Sequence, residues 1–445
     1  MNLSFAKSPI GIVNRSGNCA NVIGYFLRHL AVFAHFCHPA VGPTIQAVVS
    51  GLRMKSQTSE SGAICISVGI FAWNEERAIG STLESLFEQT LFEELHRRHG
   101  WCEIVCVTNG CTDRTPMIAK EFFAEQQRRH RFAPAFVTRV VEISQRGKVN
   151  AWNSFVHELS ARPARYLVMM DSDILIHLRG TLWNMVSALE HDRTASVSVD
   201  RPCKDVLFKP ERSWREWFSL AVSQITLSSS AQLCAQLYCM RAGVARQIYM
   251  PKELPACEDG FIKSLVCTDN LSHRILPERI TTAKGAEHTF EAYTSPAAIL
   301  KNQKRQVIGQ TVIHLLVDRF IPGLTPLQRE RLAETLRAKD SADPHWLKRL
   351  TGEHLHRTRW FWRLYPGLVN YRFGRLRQLG FLKRIVCLPA AFAGACATLV
   401  GSFLAYRTLK SGSIDYWPKA RRLGLGSIEP EKLGLPLMKS AGPGK

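Results

Sequence analysis

The chain has 445 residues, of which 46% are hydrophobic, and its net charge is +21. This composition supports a sizeable core and excludes a wholly disordered chain, and the length allows two or three domains or one large domain with appendages. The charge is uneven, because Lys301–Lys445 holds 26 Lys/Arg against 9 Asp/Glu, or +17, which leaves about +4 for the first 300 residues. Such a field favours an anionic partner: phosphate, nucleic acid or an anionic membrane surface.

The 13 cysteines show no CxxC or CxxH spacing, so neither a zinc site nor a disulfide framework is indicated. Most lie in apolar strings, and they are predicted to be small buried hydrophobes in a reducing compartment. The examples are Cys65, Cys106, Cys234, Cys239 and Cys267.

The first 60 residues are predicted to form an N-terminal extension. Val22–Phe36 is apolar but is interrupted by Arg28, His29 and His35, and no cleavage site of the signal-peptide kind follows a basic start. Two interpretations stay open: an interfacial helix, or translation that starts at Met54 just before the first predicted strand.

From Ala63 onward, short apolar runs alternate with segments of helical periodicity. The predicted strands are Ala63–Phe71, Glu103–Val107, Val137–Ile143, Tyr166–Met170, Val197–Val199 and Leu237–Met240. The predicted helices start at Asn74 and Lys148 or span Pro116–Arg129, Trp214–Leu227, Asp259–Val266 and Ala297–Leu316. This alternation is the signature of βαβ units, and it predicts an α/β fold with a mostly parallel sheet.

The apolar strand Tyr166–Met170 runs directly into Asp171 and Asp173. At the carboxyl end of a parallel strand, both carboxylates would enter the crevice where open α/β sheets bind ligands. Carboxylate oxygens are hard ligands for a divalent cation, which a diphosphate leaving group requires. The alternative is an ordinary exit from strand to turn, since Asp favours turns.

Four other polar segments follow predicted strands or open predicted helices. Gly110 permits a tight turn in the NGCTDRT loop, whose amides and side chains could bind a nucleoside. Arg146, Gly147 and Lys148 precede a helix, where an anion would be stabilised. The other two segments are a polar turn at Asn74–Glu76 and the acidic pair Glu258-Asp259. The helix dipole stabilises an acidic pair at a helix start, so this pair could have a structural role alone.

The order of these motifs closely resembles the family 2 glycosyltransferases, inverting enzymes of the GT-A fold, over about residues 63 to 310. The resemblance rests on Asn74-Glu75, residues 108–115 (TNGCTDRT), residues 146–153 (RGKVNAWN), Asp171 with Asp173, and Glu258-Asp259. In two places the chain departs from the family pattern. Thr108 and Asn109 replace a pair of aspartates, and the QxxRW signature of processive members is reduced to QKRQV at 303–307.

The resemblance implies displacement at the anomeric carbon of a nucleotide-sugar, with a UDP-sugar as the expected donor. Asp171 and Asp173 would hold Mg²⁺ or Mn²⁺. Asp259 would be the general base, with Glu258 positioning it. The remaining residues expected to contact the donor or acceptor are Glu75, Asn109, Asp113, Arg146, Lys148, Gln303 and Arg305. The expected acceptor is a saccharide or glycolipid, and nucleic acid is not expected as a partner.

The C-terminal third indicates a membrane. Residues 385–405 contain no charged side chain and are bracketed by basic residues, which predicts a transmembrane helix over 383–408. A buried core helix is the alternative, and because both flanks are basic, a re-entrant or hairpin arrangement also stays open. The basic, aromatic region 311–380 is predicted to form interfacial helices that place Trp360, Trp362 and Tyr365 at a cytoplasmic leaflet, with a solvated basic surface as its alternative.

The predicted organisation is therefore an extension over 1–60, a GT-A catalytic domain over 61–310, the interfacial region, the membrane helix and a tail over 409–445. The expected location is the cell inner membrane, with the catalytic domain in the cytoplasm. Two other functions stay open: a sugar nucleotidyltransferase, although residues 68–73 lack its glycine-rich loop, and a non-enzymatic basic membrane protein that binds nucleic acid, supported by charge alone.

Overall fold

The computed structural model describes residues 63–208, 213, 216, 232–293, 295–368, 371–377 and 380–413. The predictions for Val22–Phe36, for a start at Met54 and for the tail after residue 413 lie outside these ranges. The helix predicted at Trp214–Leu227 also falls almost entirely outside them.

Within these described ranges, seven strands form one sheet. They are β1 (Cys65–Ala72), β2 (Trp101–Asn109), β3 (Phe136–Ile143), β4 (Tyr166–Asp171), β5 (Val197–Lys204), β6 (Leu237–Arg241) and β7 (Ile280–Phe290). Their order across the sheet is β3-β2-β1-β4-β6-β5-β7. β6 is antiparallel to β4 and β5, and every other pair is parallel. The sheet is therefore mostly parallel, as the sequence predicts.

The central strands are buried on both faces, which explains their continuous apolar runs. All eight residues of β1 are buried. On one face of the sheet the core includes Trp152, Phe155 and Phe261, and on the other it includes Leu83 and Phe92. The polar ends of the strands thus emerge at the rim of a sheet that is covered by helices on both sides.

The helices that cover the sheet and close the chain vary widely in length. They are α1 (Ile79–Phe87), α2 (Leu91–Arg97), α3 (Thr115–Arg129), α4 (Lys148–Ser154), α5 (Thr181–His191), α6 (Ala242–Ala245), α7 (Glu258–Val266), α8 (Pro296–Leu315), α9 (Pro326–Glu330), α10 (Leu332–Ala342), α11 (Trp346–Arg357), α12 (Tyr371–Leu376) and α13 (Phe381–Ser411).

The six predicted strands are confirmed, most of them extended by one or more residues at their ends. β7 was missed because its sequence, ITTAKGAEHTF, is rich in small and polar residues and gives no apolar run. The first predicted helix begins at Ile79 rather than Asn74, since Asn74 has a positive φ of 53°. An L-residue in that region ends regular structure instead of starting a helix.

The predicted membrane segment 383–408 lies within one longer helix, α13, which has Pro389 in its interior. In the part of the chain that is described, the stretch Cys387–Ser411 is long and apolar enough to cross a membrane, with a mean hydropathy of 1.7 and 24% of its apolar window buried. Length and composition alone give this result. The helix packs against α8 and α11, so part of it contacts the rest of the protein.

Candidate active site

Two loops at the carboxyl ends of β1 and β2 are tied together by side chains. The Asn74 side chain accepts a hydrogen bond from the Thr112 amide at 2.7 Å and donates one to Thr112 Oγ1 at 3.1 Å. The Cys111 sulfur lies 3.3 Å from the Asn74 amide. The motif residues of both loops are therefore brought to one end of the sheet, as their positions after parallel strands predict.

The carboxylate of Asp113 serves this same junction. Its Oδ2 accepts from the Glu76 amide at 3.1 Å, and its Oδ1 accepts from the Thr115 amide and hydroxyl at 3.0 and 2.6 Å. The Glu75 amide donates to the Thr115 hydroxyl at 2.7 Å. Asp113 thus holds the start of α3 against the first loop, and its predicted contact with the nucleotide, like that of Glu75, stays a prediction.

The third loop, before α4, joins the same end of the sheet through Asn109. The Asn109 side chain is fully buried, and its Nδ2 donates to the Gly147 carbonyl at 2.6 Å. Gly147 has a φ of +145°, in the region that favours glycine. Beside it, the Arg146 guanidinium lies 3.7 Å from the centre of the Trp73 ring, a cation–π contact that places a positive charge above the first loop.

Lys148 brings together two elements that are far apart in sequence. Its Nζ lies 2.7 Å from Asp171 Oδ1, 3.0 Å from Asp171 Oδ2 and 3.0 Å from Glu258 Oε1. It also donates to the Ala235 carbonyl at 3.1 Å. The side chains of all three charged residues are less than one-fifth exposed. The acidic residues at the end of β4 and at the start of α7 therefore share one cleft.

The pKa shifts in the cleft follow from burial and from this ammonium group. Burial raises the pKa of Asp171 to about 6, against the effect of Lys148 and with a contribution from Asp173. Burial also disfavours the Glu258 carboxylate, but the Lys148 charge outweighs it and holds the pKa of Glu258 below its usual value. Burial and the Glu258 charge raise the pKa of Asp259 to about 6.

Asp259 opens α7 from a strained turn. Cys257, just before the helix, has a φ of 62°, and Asp259 Oδ1 accepts a hydrogen bond from the Gly260 amide at 2.8 Å. Arg305 of α8 lies within electrostatic reach and favours the ionised forms of Glu258 and Asp259. The predicted contact of Arg305 with the acceptor or the diphosphate stays a prediction.

Gln303, predicted with Arg305, lies at a different contact. Its side-chain oxygen accepts a hydrogen bond from Thr398 of α13 at 3.2 Å. Gln306 of α8 reaches the strained turn, where its Oε1 is 3.1 Å from the Cys257 sulfur. The role of Gln303 toward a substrate stays a prediction.

Sequence reasoning missed Cys234 and Ala235, which precede the run Gln236–Arg241 that resembles the family's acceptor-side strand, and which line the cleft between β4 and α7. The Gln236 carbonyl accepts the Asp171 amide at 2.8 Å, and Cys234 is close enough to Asp200, Asp259 and Asp171 for their charges to raise its pKa beyond the effect of burial. Cys234 is half-buried, which corrects the prediction that it is a buried hydrophobe. The adjoining QLYCMR strand was the available signal.

A buried polar pair supports this segment from β5 and β7. His288 and Asp200 are both fully buried, with 2.6 Å between His288 Nδ1 and Asp200 Oδ2. The other ring nitrogen of His288 lies 3.4 Å from Gln236 Oε1. A buried polar group needs a hydrogen-bond partner, and through Gln236 this pair supports the loop that carries the Asp171 contact.

The residues at the end of β4 fit a divalent cation bound together with a diphosphate. Both carboxylate oxygens of Asp171 lie within 3.0 Å of the Lys148 ammonium, and the Asp171 side chain is less than one-fifth exposed. The described residues contain no group of three His, Cys, Asp or Glu placed to form a complete metal cage. Mg²⁺ and similar ions are commonly held by one or two carboxylates plus substrate phosphates, and Asp171 with Asp173 supplies that number.

The fold and the site together define a class of protein: an α/β enzyme that has an acidic cleft at the carboxyl edge of a mostly parallel sheet. The family described as glycosyl transferase family 2 matches residues 67–240, from β1 to β6. The chain therefore carries a family 2 glycosyltransferase domain of the GT-A fold, and it is a glycosyltransferase. The resemblance drawn from the motifs is confirmed. The matched segment ends before Glu258 and Asp259.

Several solved structures are similar to this chain. The mannosyltransferase PcManGT from Pyrobaculum calidifontis, in complex with GDP-Man and Mn²⁺, is 19% identical, with 78% of this chain and 87% of that chain covered and a TM-score of 0.44. S. aureus TarS 1-349 is 15% identical, with 79% and 91% covered and a TM-score of 0.37. Glucosyl-3-phosphoglycerate synthase from Mycobacterium tuberculosis, with Mn²⁺, UDP and glucosyl-3-phosphoglycerate, is 15% identical, with 63% and 87% covered and a TM-score of 0.37. No curated protein matches the sequence.

Proposed function

We propose that this glycosyltransferase moves a sugar, with inversion, from a nucleotide-diphosphate donor to a hydroxyl of a lipid-linked or polysaccharide acceptor. A UDP-sugar is the proposed donor. The observation that carries the proposal is the position of Lys148, whose ammonium contacts both Asp171 and Glu258. It joins the strand end expected to bind the leaving group to the helix start expected to activate the acceptor.

Asp259 is the proposed general base. A base must be largely ionised at working pH yet basic enough to take a proton from a hydroxyl, and a pKa near the operating pH meets both needs. Burial and the neighbouring Glu258 charge raise the pKa of Asp259 to about 6, well above that of an ordinary aspartate. Glu258, bound to Lys148, positions the start of α7 and maintains this shift.

Asp171 and Asp173 would hold Mg²⁺ or Mn²⁺. When bound, such an ion neutralises charge that develops on a diphosphate leaving group. Arg146 and Lys148 add positive charge on the same side of the cleft, and electrostatic stabilisation of this kind contributes most in a site that excludes water. Glu75, Asn109 and Asp113 belong to the loops proposed to hold the nucleoside.

The family match favours this activity over the nucleotidyltransferase and over the non-enzymatic alternative considered from the sequence. The acceptor is proposed from the C-terminal third of the chain, where an apolar helix and many basic residues lie. These features favour an inner membrane location with the catalytic domain on the cytoplasmic side, where nucleotide-sugars are made.

The test is Asp259→Asn in the full chain. Transfer from UDP-sugars to acceptor, or hydrolysis of the donor where the acceptor is unknown, is expected to fall by about 10² to 10⁴-fold, the usual contribution of a positioned general base. Donor binding should survive. It is measured as the rise in melting temperature with UDP plus Mn²⁺, because a ligand that binds only the folded state stabilises that state.

The matched control is Asp269→Asn. Asp269 is a partly exposed residue just after α7 that pairs with Arg279 at 3.0 Å. This variant should retain both transfer and the UDP–Mn²⁺ stabilisation. Near-normal transfer by Asp259→Asn would remove Asp259 from the role of base. A variant that lost transfer and donor stabilisation together would show that Asp259 holds the donor instead.

A further inference from the structure

The apolar helix α13 has two halves with different surroundings. In the half here called the docked half (Gly394–Ser411), Gly401 lies so close to α8 that an added Cβ would be 3.1 Å from the Gln303 Cβ. Thr398 in the same half donates to the Gln303 side chain at 3.2 Å. Such close helix contact needs a small residue at the crossing.

The docked half continues into a small apolar core shared with α8 and α11. Ala405 and Leu409 are buried there with Val307, Ile308 and Leu355. Next to Ala405, the Tyr406 hydroxyl donates to the Thr358 carbonyl at 3.3 Å. This face of α13 is therefore occupied by the protein and cannot face lipid.

The preceding half, here called the exposed half (Phe381–Ala393), has different surroundings. None of its described side chains is buried. Four of its large apolar side chains are 52–73% exposed, at a spacing that places them on one helix face. They are Phe381, Ile385, Leu388 and Phe392. Several large apolar side chains exposed on one helix face are typical of an interaction site in a folded protein.

The apolar face does not end with the exposed half. Val400 and Phe403 of the docked half are 49% and 45% exposed, on the side away from α8. The Phe403 ring meets Phe361 edge-on at 5.6 Å, and the neighbouring Trp360 and Trp362 rings are stacked at 4.7 Å. Both tryptophans are also exposed. Aromatic side chains of this kind are enriched at the interface between lipid and water.

The charges around the face identify its partner. Between residues 354 and 414 the sequence has ten Lys/Arg and no Asp or Glu. Arg359, Arg363, Arg384 and Arg407 are exposed beside the apolar and aromatic side chains. A protein partner with the same complementarity would need an acidic rim around an apolar groove, whereas an anionic lipid surface offers both features everywhere.

We propose that α13 inserts into a single leaflet of an anionic membrane and does not span it. At 1.5 Å per residue, the exposed half is about 20 Å long, whereas the hydrocarbon core is about 30 Å thick and takes about 20 residues to cross. To span, the helix would have to draw the docked half into the bilayer together with α8. That helix carries Lys301, Lys304 and Arg305, and burying charged side chains in lipid is costly.

Helix α8 connects the proposed lipid face to the catalytic cleft. α8 contacts α13 through Gln303 and, one turn later, contacts the turn before Glu258 through Gln306. The lipid face and the proposed base are thus attached to the same helix. The inference concerns lipid binding alone and stands whether or not the transfer mechanism is correct.

Vesicle sedimentation with the full chain tests the lipid face. Binding to vesicles of phosphatidylglycerol and phosphatidylcholine should exceed binding to phosphatidylcholine alone and should weaken with salt. Leu388→Glu and Phe392→Glu should each lower binding about tenfold or more, since each removes an apolar side chain from lipid. Both sites are exposed, so the fold should persist, as the UDP–Mn²⁺ stabilisation will report.

The matched control is Val137→Glu, because Val137 is 51% exposed on the edge strand β3. It should leave vesicle binding unchanged. Equal binding by all variants, or no binding to anionic vesicles, would overturn the proposal.

A sidedness experiment separates one leaflet from a span. Closed membrane vesicles are prepared from cells that make the protein with an epitope after Lys445, with the catalytic domain facing outward. External protease should remove the epitope, since both ends of a one-leaflet helix lie on the catalytic side. An epitope protected until detergent is added would show a spanning helix and overturn the proposal.

Discussion

Lys148 is the residue on which the geometry of the site depends most directly, because its ammonium contacts carboxylates from two separate elements. Asp171 and Glu258 would repel each other across the cleft without it, and both are largely removed from water. The same contacts raise the pKa of Lys148 above its usual value despite burial, which alone would lower it. The ammonium is thus charged throughout the pH range in which the enzyme can work.

Replacing Lys148 with Met should destabilise the fold. The substitution keeps most of the side-chain volume but leaves two buried carboxylates without their partner, and breaking a buried ion pair costs about 3 kcal/mol or more. The free energy of unfolding in urea measures this. Lys120→Met is the control, since the Lys120–Glu142 pair is more than half exposed and should contribute less than about 1 kcal/mol. Equal losses in the two variants would contradict the role assigned to Lys148.

The raised pKa of Asp259 predicts the acid limb of the pH profile. A base whose pKa is about 6 is ionised above that pH, so kcat/KM should fall about tenfold per pH unit below it. Glu258→Gln removes one negative charge that raises this pKa, and the limb should therefore move to lower pH. The exposed Glu121 of α3 gives the control, Glu121→Gln, which should not move the limb. A limb that stayed in place or moved to higher pH in Glu258→Gln would contradict the assignment.

Among the described helices, α8 contacts both α13 and the turn that precedes α7. It packs on α13 at Gly401 and on the strained turn at Cys257, where a Cβ added to Gly309 would lie 2.7 Å from both the Ala256 carbonyl oxygen and the Cys257 sulfur. Real Cβ atoms do not approach backbone this closely, so the turn that presents Glu258 and Asp259 must move if position 309 gains a side chain.

Gly309→Ala should therefore lower both stability and activity. Overpacking of this kind costs about 1–3 kcal/mol, and a small displacement of a catalytic group reduces kcat by tenfold or more. Gly352→Ala in α11 is the control, because an added Cβ there meets nothing within 4 Å. Its stability should stay the same or rise by up to about 1 kcal/mol, as alanine favours a helix interior. Normal kcat in Gly309→Ala would show that the close contact does not position the acids.

On the scale of the whole molecule, two surfaces differ in charge and shape: the acidic cleft and the basic part after residue 300. The carboxyl edge of the sheet gathers the acidic cleft, while the positive charge is concentrated after residue 300, at +17 of the total +21. The apolar face of α13 lies within that basic part. An anionic surface would attract one side of the protein, and the basic side chains beside the cleft would attract a nucleotide diphosphate. The two anionic partners would therefore meet different residues.

The sequence alone predicted the sheet and the motifs. An apolar run such as Tyr166–Met170 can be satisfied only by burial on both faces, and the position of Asp171 after it follows from the strand ending there. Lys148 before a helix and Asp259 at the start of another are likewise local features. The order of these motifs along the chain was enough to indicate the family, because each motif follows a strand of the sheet or opens a helix.

The tertiary structure decided what these residues contact. The prediction that Lys148 faces the nucleotide is untested, but the structure adds that its ammonium binds Asp171 and Glu258. No local pattern encodes a contact between elements so far apart. The antiparallel direction of β6 brings the Ala235 carbonyl to Lys148. The stretch Cys387–Ser411 of α13 has the composition of a membrane span, and only its neighbours show that most of it is docked on α8. Hydropathy measures each residue by itself, whereas burial depends on what the rest of the chain places beside it.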